Sequence, residues 1–125
     1  MEKKYKILIV DDSKMTRNFH AYILKSAGFN IKDAENGFDA LEKALIDKFD
    51  LIITDINMPK MDGYTFIQRL RENDEYRDTP VIIISTEDEA EDKRKGFEAG
   101  ADFYIVKPVT PEKLLNTIKM FLKID

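Results

Sequence analysis

Asp11, Asp12, Asp55, Ser85 and Lys107 are the residues whose types could do chemistry together, and each follows an apolar run. Lys6-Ile7-Leu8-Ile9-Val10 stops at Asp11-Asp12-Ser13, and Leu51-Ile52-Ile53-Thr54 stops at Asp55. Val81-Ile82-Ile83-Ile84 runs into Ser85-Thr86, and Asp102 to Val106 leads to Lys107-Pro108. Carboxylates held close together repel one another unless a cation intervenes. An all-oxygen donor set with no His or Cys favours a hard ion, Mg²⁺ before Ca²⁺, with waters completing an octahedron. A carboxylate beside Mg²⁺ and a lysine ammonium is placed to attack a phosphoryl group, and the product would be an aspartyl phosphate. Asp55, at the end of an apolar run that reads as a strand covered on both faces, is the candidate nucleophile.

These residues meet only if the elements carrying them share one edge. From Lys14 to Ala27 the residues Met15, Phe19, Tyr22 and Ile23 recur at helical spacing, with Ser13 as N-cap and Gly28 as stop. A weak strand is expected at Asn30 to Ala34, then a turn at Glu35-Asn36-Gly37 and a helix carrying Ala40, Leu41, Ala44 and Leu45. Asp50 opens the central strand. After Gly63 a third helix carries Phe66, Ile67 and Leu70 and gives way to a polar loop from Asn73 to Pro80. Glu87 to Ala99 reads as a poorly anchored helix, mostly charged, with Phe97 its only large apolar side chain and Gly96 inside it. Gly100-Ala101 ends it. A last helix has Thr110 as cap, Pro111 at its first position, and Leu114, Leu115, Ile118, Phe121 and Leu122 to bury. Strand and helix alternate five times, which predicts an α/β fold of one parallel sheet with helices on both faces and right-handed crossovers. In such sheets ligands bind at the carboxyl ends of the strands, and that is where the chemistry-bearing residues fall.

The bulk composition narrows the field. A chain of 125 residues with 43% hydrophobic content reads as one domain, 1–125, able to bury a core. No apolar run reaches the length of a membrane span, and Met1-Glu2-Lys3-Lys4-Tyr5 lacks a signal peptide's hydrophobic segment, so no membrane and a cytoplasmic location are expected. There are no cysteines, which removes disulfides and thiolate metal sites. The net charge is −4 with scattered basic residues, so the chain alone is not expected to bind nucleic acid.

Taken singly, each feature has a plain structural reading. Asp-Asp before a helix caps it, a lone Asp at a strand end shapes a turn, and Ser85-Thr86 could be caps. His20, the only histidine, is read as a structural or surface residue rather than a phosphate carrier. The joint occurrence at successive strand ends is what points to a site.

Five motifs carry a resemblance over essentially the whole chain: Ile9-Val10-Asp11-Asp12-Ser13, Thr54-Asp55-Ile56-Asn57-Met58-Pro59-Lys60-Met61-Asp62-Gly63, Ile84-Ser85-Thr86, Gly100-Ala101-Asp102-Phe103-Tyr104 and Val106-Lys107-Pro108. In this order they resemble the receiver domains of two-component response regulators, closest to the stand-alone, CheY-like kind. The resemblance implies a doubly wound, flavodoxin-like (βα)5 sandwich with strand order 2-1-3-4-5. It implies that Asp55 accepts a phosphoryl group from a histidine kinase, and that the chain is a phosphoacceptor rather than an enzyme, assisting its own phosphorylation and dephosphorylation. Asp12, Asp55 and the backbone carbonyl of Asn57 would hold Mg²⁺, with Asp11 acting through water. Lys107 would contact the phosphoryl group, and the bond before Pro108 would be cis. Ser85 and Tyr104 would form the switch, reporting to a downstream effector through helix 4, strand 5 and helix 5. Asn57 and Glu87 would border the path of attacking water and tune phosphate lifetime. Met58, Pro59 and Met61 are expected to lie exposed beside the site, available for kinase docking.

Three rival readings fit parts of this pattern. A flavin module would need a glycine- and hydroxyl-rich phosphate loop where Asp11-Asp12 stands, since two carboxylates repel a bare phosphate. A Mg²⁺-dependent phosphohydrolase would place an Asp-x-Asp nucleophile motif after the first strand, a pattern missing here. The receiver part of a larger DNA-binding regulator would share every motif.

Overall fold

The aliphatic runs become strands because β-branched and large apolar side chains suit a surface covered on both faces. The computed structural model describes residues 3–125, so Met1 and Glu2 of the expected domain lie outside the described residues. The strands are β1 (Lys6–Val10), β2 (Asn30–Ala34), β3 (Leu51–Thr54), β4 (Val81–Ser85) and β5 (Phe103–Val106). They form one sheet in the order β2-β1-β3-β4-β5, and every neighbouring pair is parallel. Both the parallel sheet and the order follow the expectation.

Five helices cover it: α1 (Lys14–Ser26), α2 (Gly37–Ile46), α3 (Gly63–Arg71), α4 (Ala90–Ala99) and α5 (Pro111–Leu122). Period-two alternation along the strands builds two cores. Ile7 and Ile9 of β1 pack with Ile23 and Leu24 of α1 and Leu114 and Ile118 of α5. Leu8 and Val10 face the other way, onto Ala40 and Ala44 of α2 and Phe66, Ile67 and Leu70 of α3. Side-chain caps start four of the helices: Ser13, Asn36, Asp62 and Thr110 each accept a backbone N–H from the first turn. Gly28 takes φ +97 after α1, the left-handed stop that its type favours.

The strands match their sequence reading, whereas several helix faces do not. In α1 the buried residues are His20, Ile23 and Leu24, while Met15 is 82% and Tyr22 73% exposed. The helix lies close to the sheet along the line from His20 to Leu24, so the larger side chains on the neighbouring stripe face outward. In α2, Ala40 and Ala44 are buried and Leu45 is exposed. The approach there leaves little room, since a Cβ on Gly37 would stand 2.6 Å from the Met61 sulfur.

α4 starts at Ala90, not Glu87, and its N-cap residue Glu89 makes no side-chain capping bond. Its one large apolar residue, Phe97, is exposed, and the helix seats itself through Gly96 and Ala99 instead. A Cβ on Gly96 would come within 2.7 Å of the Ile83 side chain. The sparse anchoring is as expected, but it is achieved through small residues.

The loop after α3 holds a 3₁₀ turn, Asp74–Tyr76, whose Tyr76 is fully buried. The Tyr76 hydroxyl accepts the Phe49 N–H at 3.2 Å, and its single proton is shared between the carbonyls of Ala44 and Asp47, each 2.8 Å away. Arg71 ties the same turn down, donating to the carbonyls of Tyr76 (2.5 Å), Thr79 (2.7 Å) and Gly100 (2.8 Å). Tyr76→Phe leaves the buried Phe49 N–H without a partner, and it is expected to cost about 1–3 kcal/mol. A urea titration should show a lower midpoint with an unchanged slope.

Candidate functional site

Asp55 emerges where β3 surfaces, its N–H bonded to the Val10 carbonyl of β1 at 2.9 Å. The backbone behind it is closely covered, because a Cβ on Gly63 would stand 2.2 Å from the Asp55 carbonyl oxygen. Only glycine lets α3 begin this close to the strand end. The Asp55 carboxylate accepts the Ile56 N–H at 2.6 Å through Oδ1 and the Lys107 ammonium at 3.0 Å through Oδ2.

Asp11, in the loop between β1 and α1, accepts the Ser13 N–H at 2.9 Å and Lys107 Nζ at 2.9 Å. Lys107 therefore bridges two carboxylates that are 52 and 96 residues away along the chain. Burial works against its charge, and the hydrogen bonds to Asp11 and Asp55 with their negative charges outweigh that, so its pKa is raised. The ammonium stays charged. Asp12 is exposed at the rim. Asp11, Asp12 and Asp55 each offer a carboxylate oxygen, all within 4.8 Å of one another. That donor set, all oxygen and all anionic, suits a hard divalent ion.

Ser85, at the end of β4, is fully buried and accepts the Glu87 N–H at 3.1 Å. Glu87 is held twice more: Tyr104 donates its hydroxyl to the Glu87 carbonyl at 2.7 Å, and Asn57 Nδ2 donates to Oε1 at 2.8 Å. Burial pushes the Tyr104 hydroxyl pKa up, outweighing a lowering contribution from Ser85, so it remains a proton donor. The Lys107–Pro108 peptide is cis. Thus the structure brings Asp11, Asp12, Asp55 and Lys107 into one cluster, with Ser85, Asn57, Glu87 and Tyr104 linked beside it.

Two expectations around the site are corrected. Met61 is buried, its side chain packed where Gly37 leaves room, and Met58 is half-buried, leaving Pro59 as the exposed member of the three. Arg17 was not singled out, yet it donates to the Asp11 carbonyl at 2.7 Å. Its only sequence signal is its place on α1, one turn past Ser13, and its partners lie in other segments.

A family model for the response regulator receiver domain matches residues 7–119. The chain belongs to that family. The receiver is 40% identical over 114 residues to Protein PilG of Pseudomonas aeruginosa, covering 91% of this chain and 84% of that protein. It is equally 40% identical to the gliding motility regulatory protein of Myxococcus xanthus, but spans only 14% of that protein's length. It covers 48% of the transcriptional regulatory protein ResD of Bacillus subtilis, at 37% identity. Among solved structures, chemotaxis protein CheY4 of Vibrio cholerae superposes with a TM-score of 0.92 at 39% identity, covering 95% of this chain and 99% of that one. Among the described residues no helix is long and apolar enough to cross a membrane.

His20 is buried beside this cluster, its ring 5.9 Å from that of Phe19, and it lines a cavity of about 300 Å³ with Lys107, Pro108 and Val109. Burial lowers its pKa, and the Lys107 charge lowers it further. An unfolded chain therefore takes up this proton first as pH falls below about 6.5. The His20 contribution to stability is present above that pH and is lost as pH falls toward the lower native value. Relative to His20→Gln, wild type should lose stability between pH 7.5 and pH 5, as read from paired urea titrations.

Proposed function

We propose that this receiver takes a phosphoryl group onto Asp55 from the phosphohistidine of a histidine kinase and thereby switches the surface it offers an effector protein. The observation that carries the reading is the cluster itself: Asp55 hydrogen-bonded to Lys107, with oxygens of Asp11 and Asp12 within 4.8 Å. Asp12, Asp55 and the backbone carbonyl of Asn57 would hold Mg²⁺, with Asp11 acting through water. When bound, the ion offsets the charge on the transferring phosphoryl oxygens.

An Asp55 carboxylate oxygen forms the new bond to phosphorus, the phosphorus–nitrogen bond to the donor imidazole breaks, and its electron pair leaves on that nitrogen. Lys107 turns its ammonium from the Asp55 carboxylate to a phosphoryl oxygen, keeping an ion pair throughout. Ser85 donates its hydroxyl to a second oxygen, releasing the Glu87 N–H. Tyr104 then loses the loop position that holds it and rotates, altering helix α4, strand β5 and helix α5. The change is a shift between existing populations. Asn57 and Glu87 flank the approach of water and so set phosphate lifetime. The domain assists its own phosphorylation and dephosphorylation without turning over a separate substrate.

Similarity to the chemotaxis protein CheY4 supports a chemotaxis-type role. The match to about half of a transcriptional regulator supports a second reading, in which the same switch controls an attached DNA-binding part.

Incubation with acetyl phosphate and Mg²⁺ should add one base-labile phosphoryl group by intact mass, and none when EDTA replaces the metal. Asp55→Asn should show no adduct. An adduct surviving that substitution would move the acceptor elsewhere, and turnover of phosphoesters without any adduct would favour a hydrolase.

A further inference from the structure

Asp11 and Asp12 are joined by one peptide, and the carbonyl oxygen of that peptide is the Asp11 carbonyl. A peptide unit is planar, so holding its oxygen holds both flanking Cα atoms and restrains the ψ of Asp11 and the φ of Asp12, the two dihedrals that aim the side chains. Arg17 Nη1 donates to this oxygen at 2.7 Å. Its Nε donates to Asp33 Oδ2 at 2.9 Å, and the arginine side chain is only 12% exposed. Asp33 is itself held from outside, because Lys43 donates to its backbone carbonyl and to Asp39. The Asp11 N–H is bonded to the Ala34 carbonyl at 3.1 Å, so both polar groups of the Asp11 backbone are pinned, one by β2 and one by Arg17.

From this arrangement we infer that Arg17, braced by Asp33, is a positioning residue for the divalent-cation site: it orients the Asp11–Asp12 peptide so that both carboxylates face Asp55. The assignment rests on the reading that these carboxylates bind Mg²⁺. A cation placed near a metal site would, by charge alone, weaken metal binding. Asp33 cancels most of that effect, since the guanidinium and the carboxylate form a close pair whose field falls off quickly. Orientation is what remains. The fork matters as well as the charge: one planar guanidinium reaches a carboxylate and a carbonyl through two fixed N–H directions, which a lysine ammonium cannot reproduce.

The test is Mg²⁺ titration of the whole chain, following the backbone amide signals of residues 11–13 and 55–57 by NMR, alongside urea stability. Outer partners of metal ligands typically carry about 10–100-fold in metal affinity. Arg17→Met and Arg17→Lys should each weaken Mg²⁺ binding by roughly ten-fold, and Asp33→Asn, which keeps the shape but loosens the brace, by a few-fold. Tyr76→Phe, destabilised far from the site, should bind Mg²⁺ like wild type, separating orientation from general loss of stability. If wild type binds and Arg17→Met binds as tightly or more tightly, charge governs and the assignment fails. If Arg17→Met does not fold, equal affinity in Arg17→Lys and Asp33→Asn overturns it. Wild type that shows no Mg²⁺ binding at all would instead overturn the metal reading beneath it.

Discussion

Negative charge gathered at one sheet edge is the constraint on which this structure turns. Two carboxylates about 5 Å apart repel by roughly 3 kcal/mol at the effective dielectric of a protein surface. Asp11 and Asp55 are both nearly buried, so water relieves little of this. Lys107 lies between them, 2.9 Å from one and 3.0 Å from the other. One ammonium among three carboxylates still leaves an excess of negative charge. That residual charge suits the pocket to a divalent cation and, without one, would repel a bare phosphoryl donor.

The fold exists in the form needed to hold that arrangement. A parallel sheet delivers its strand ends to one edge without asking the loops to reach far: β1 delivers Asp11 and Asp12, and β3, β4 and β5 deliver Asp55, Ser85 and Lys107. The central strands β3 and β4 are buried along their full length, so their ends cannot drift. Gly63 allows α3 to approach the Asp55 backbone at a distance any side chain would prevent, and Gly96 lets α4 settle against the end of the Ile83 side chain. The first close approach confines the Asp55 backbone. The second places α4 against Ile83 and Tyr104, so that the aromatic ring beside the site feels where the helix sits.

What was legible in the sequence was what repeats over several residues. Four apolar runs, one weaker strand segment and the polar segments between them were enough to read the sheet, its parallel sense and the edge at which Asp55, Asp11 and Lys107 meet. The resemblance added the strand order. Helix faces were less legible, because size is a poor guide to burial where a helix lies close to a sheet. Met15, Phe19 and Tyr22 looked like the inner stripe of α1, but the inner stripe includes His20, whose polar ring is buried beside the cluster. In α4 the small residues pack and Phe97 does not. Tyr76 was hidden in a polar stretch, since a single buried aromatic leaves no period to detect. Arg71 was invisible for a different reason: its main partners are backbone carbonyls, which every residue has, so no residue type at the other end marks the bond. Arg17 divides its bonds between one such carbonyl and the Asp33 carboxylate, both in other segments of the chain.

The loop between β4 and α4 shows how weak local structure can serve a switch. Its helix begins without a side-chain cap, and Glu87 is held by three bonds, one each from Asn57, Tyr104 and its own N–H to Ser85. Under the proposed mechanism, turning the Ser85 hydroxyl toward Asp55 removes one of the three. Each such bond is worth only about 1 kcal/mol net, so losing one does not melt the loop, yet it changes the ratio of two conformers several-fold. A firmly capped α4 would absorb that perturbation locally. An uncapped helix seated on glycine and alanine passes it on, because little else fixes its first turn. In that mechanism, the same thinness that makes α4 hard to recognise in the sequence would let a small rearrangement at Ser85 reach the outer surface.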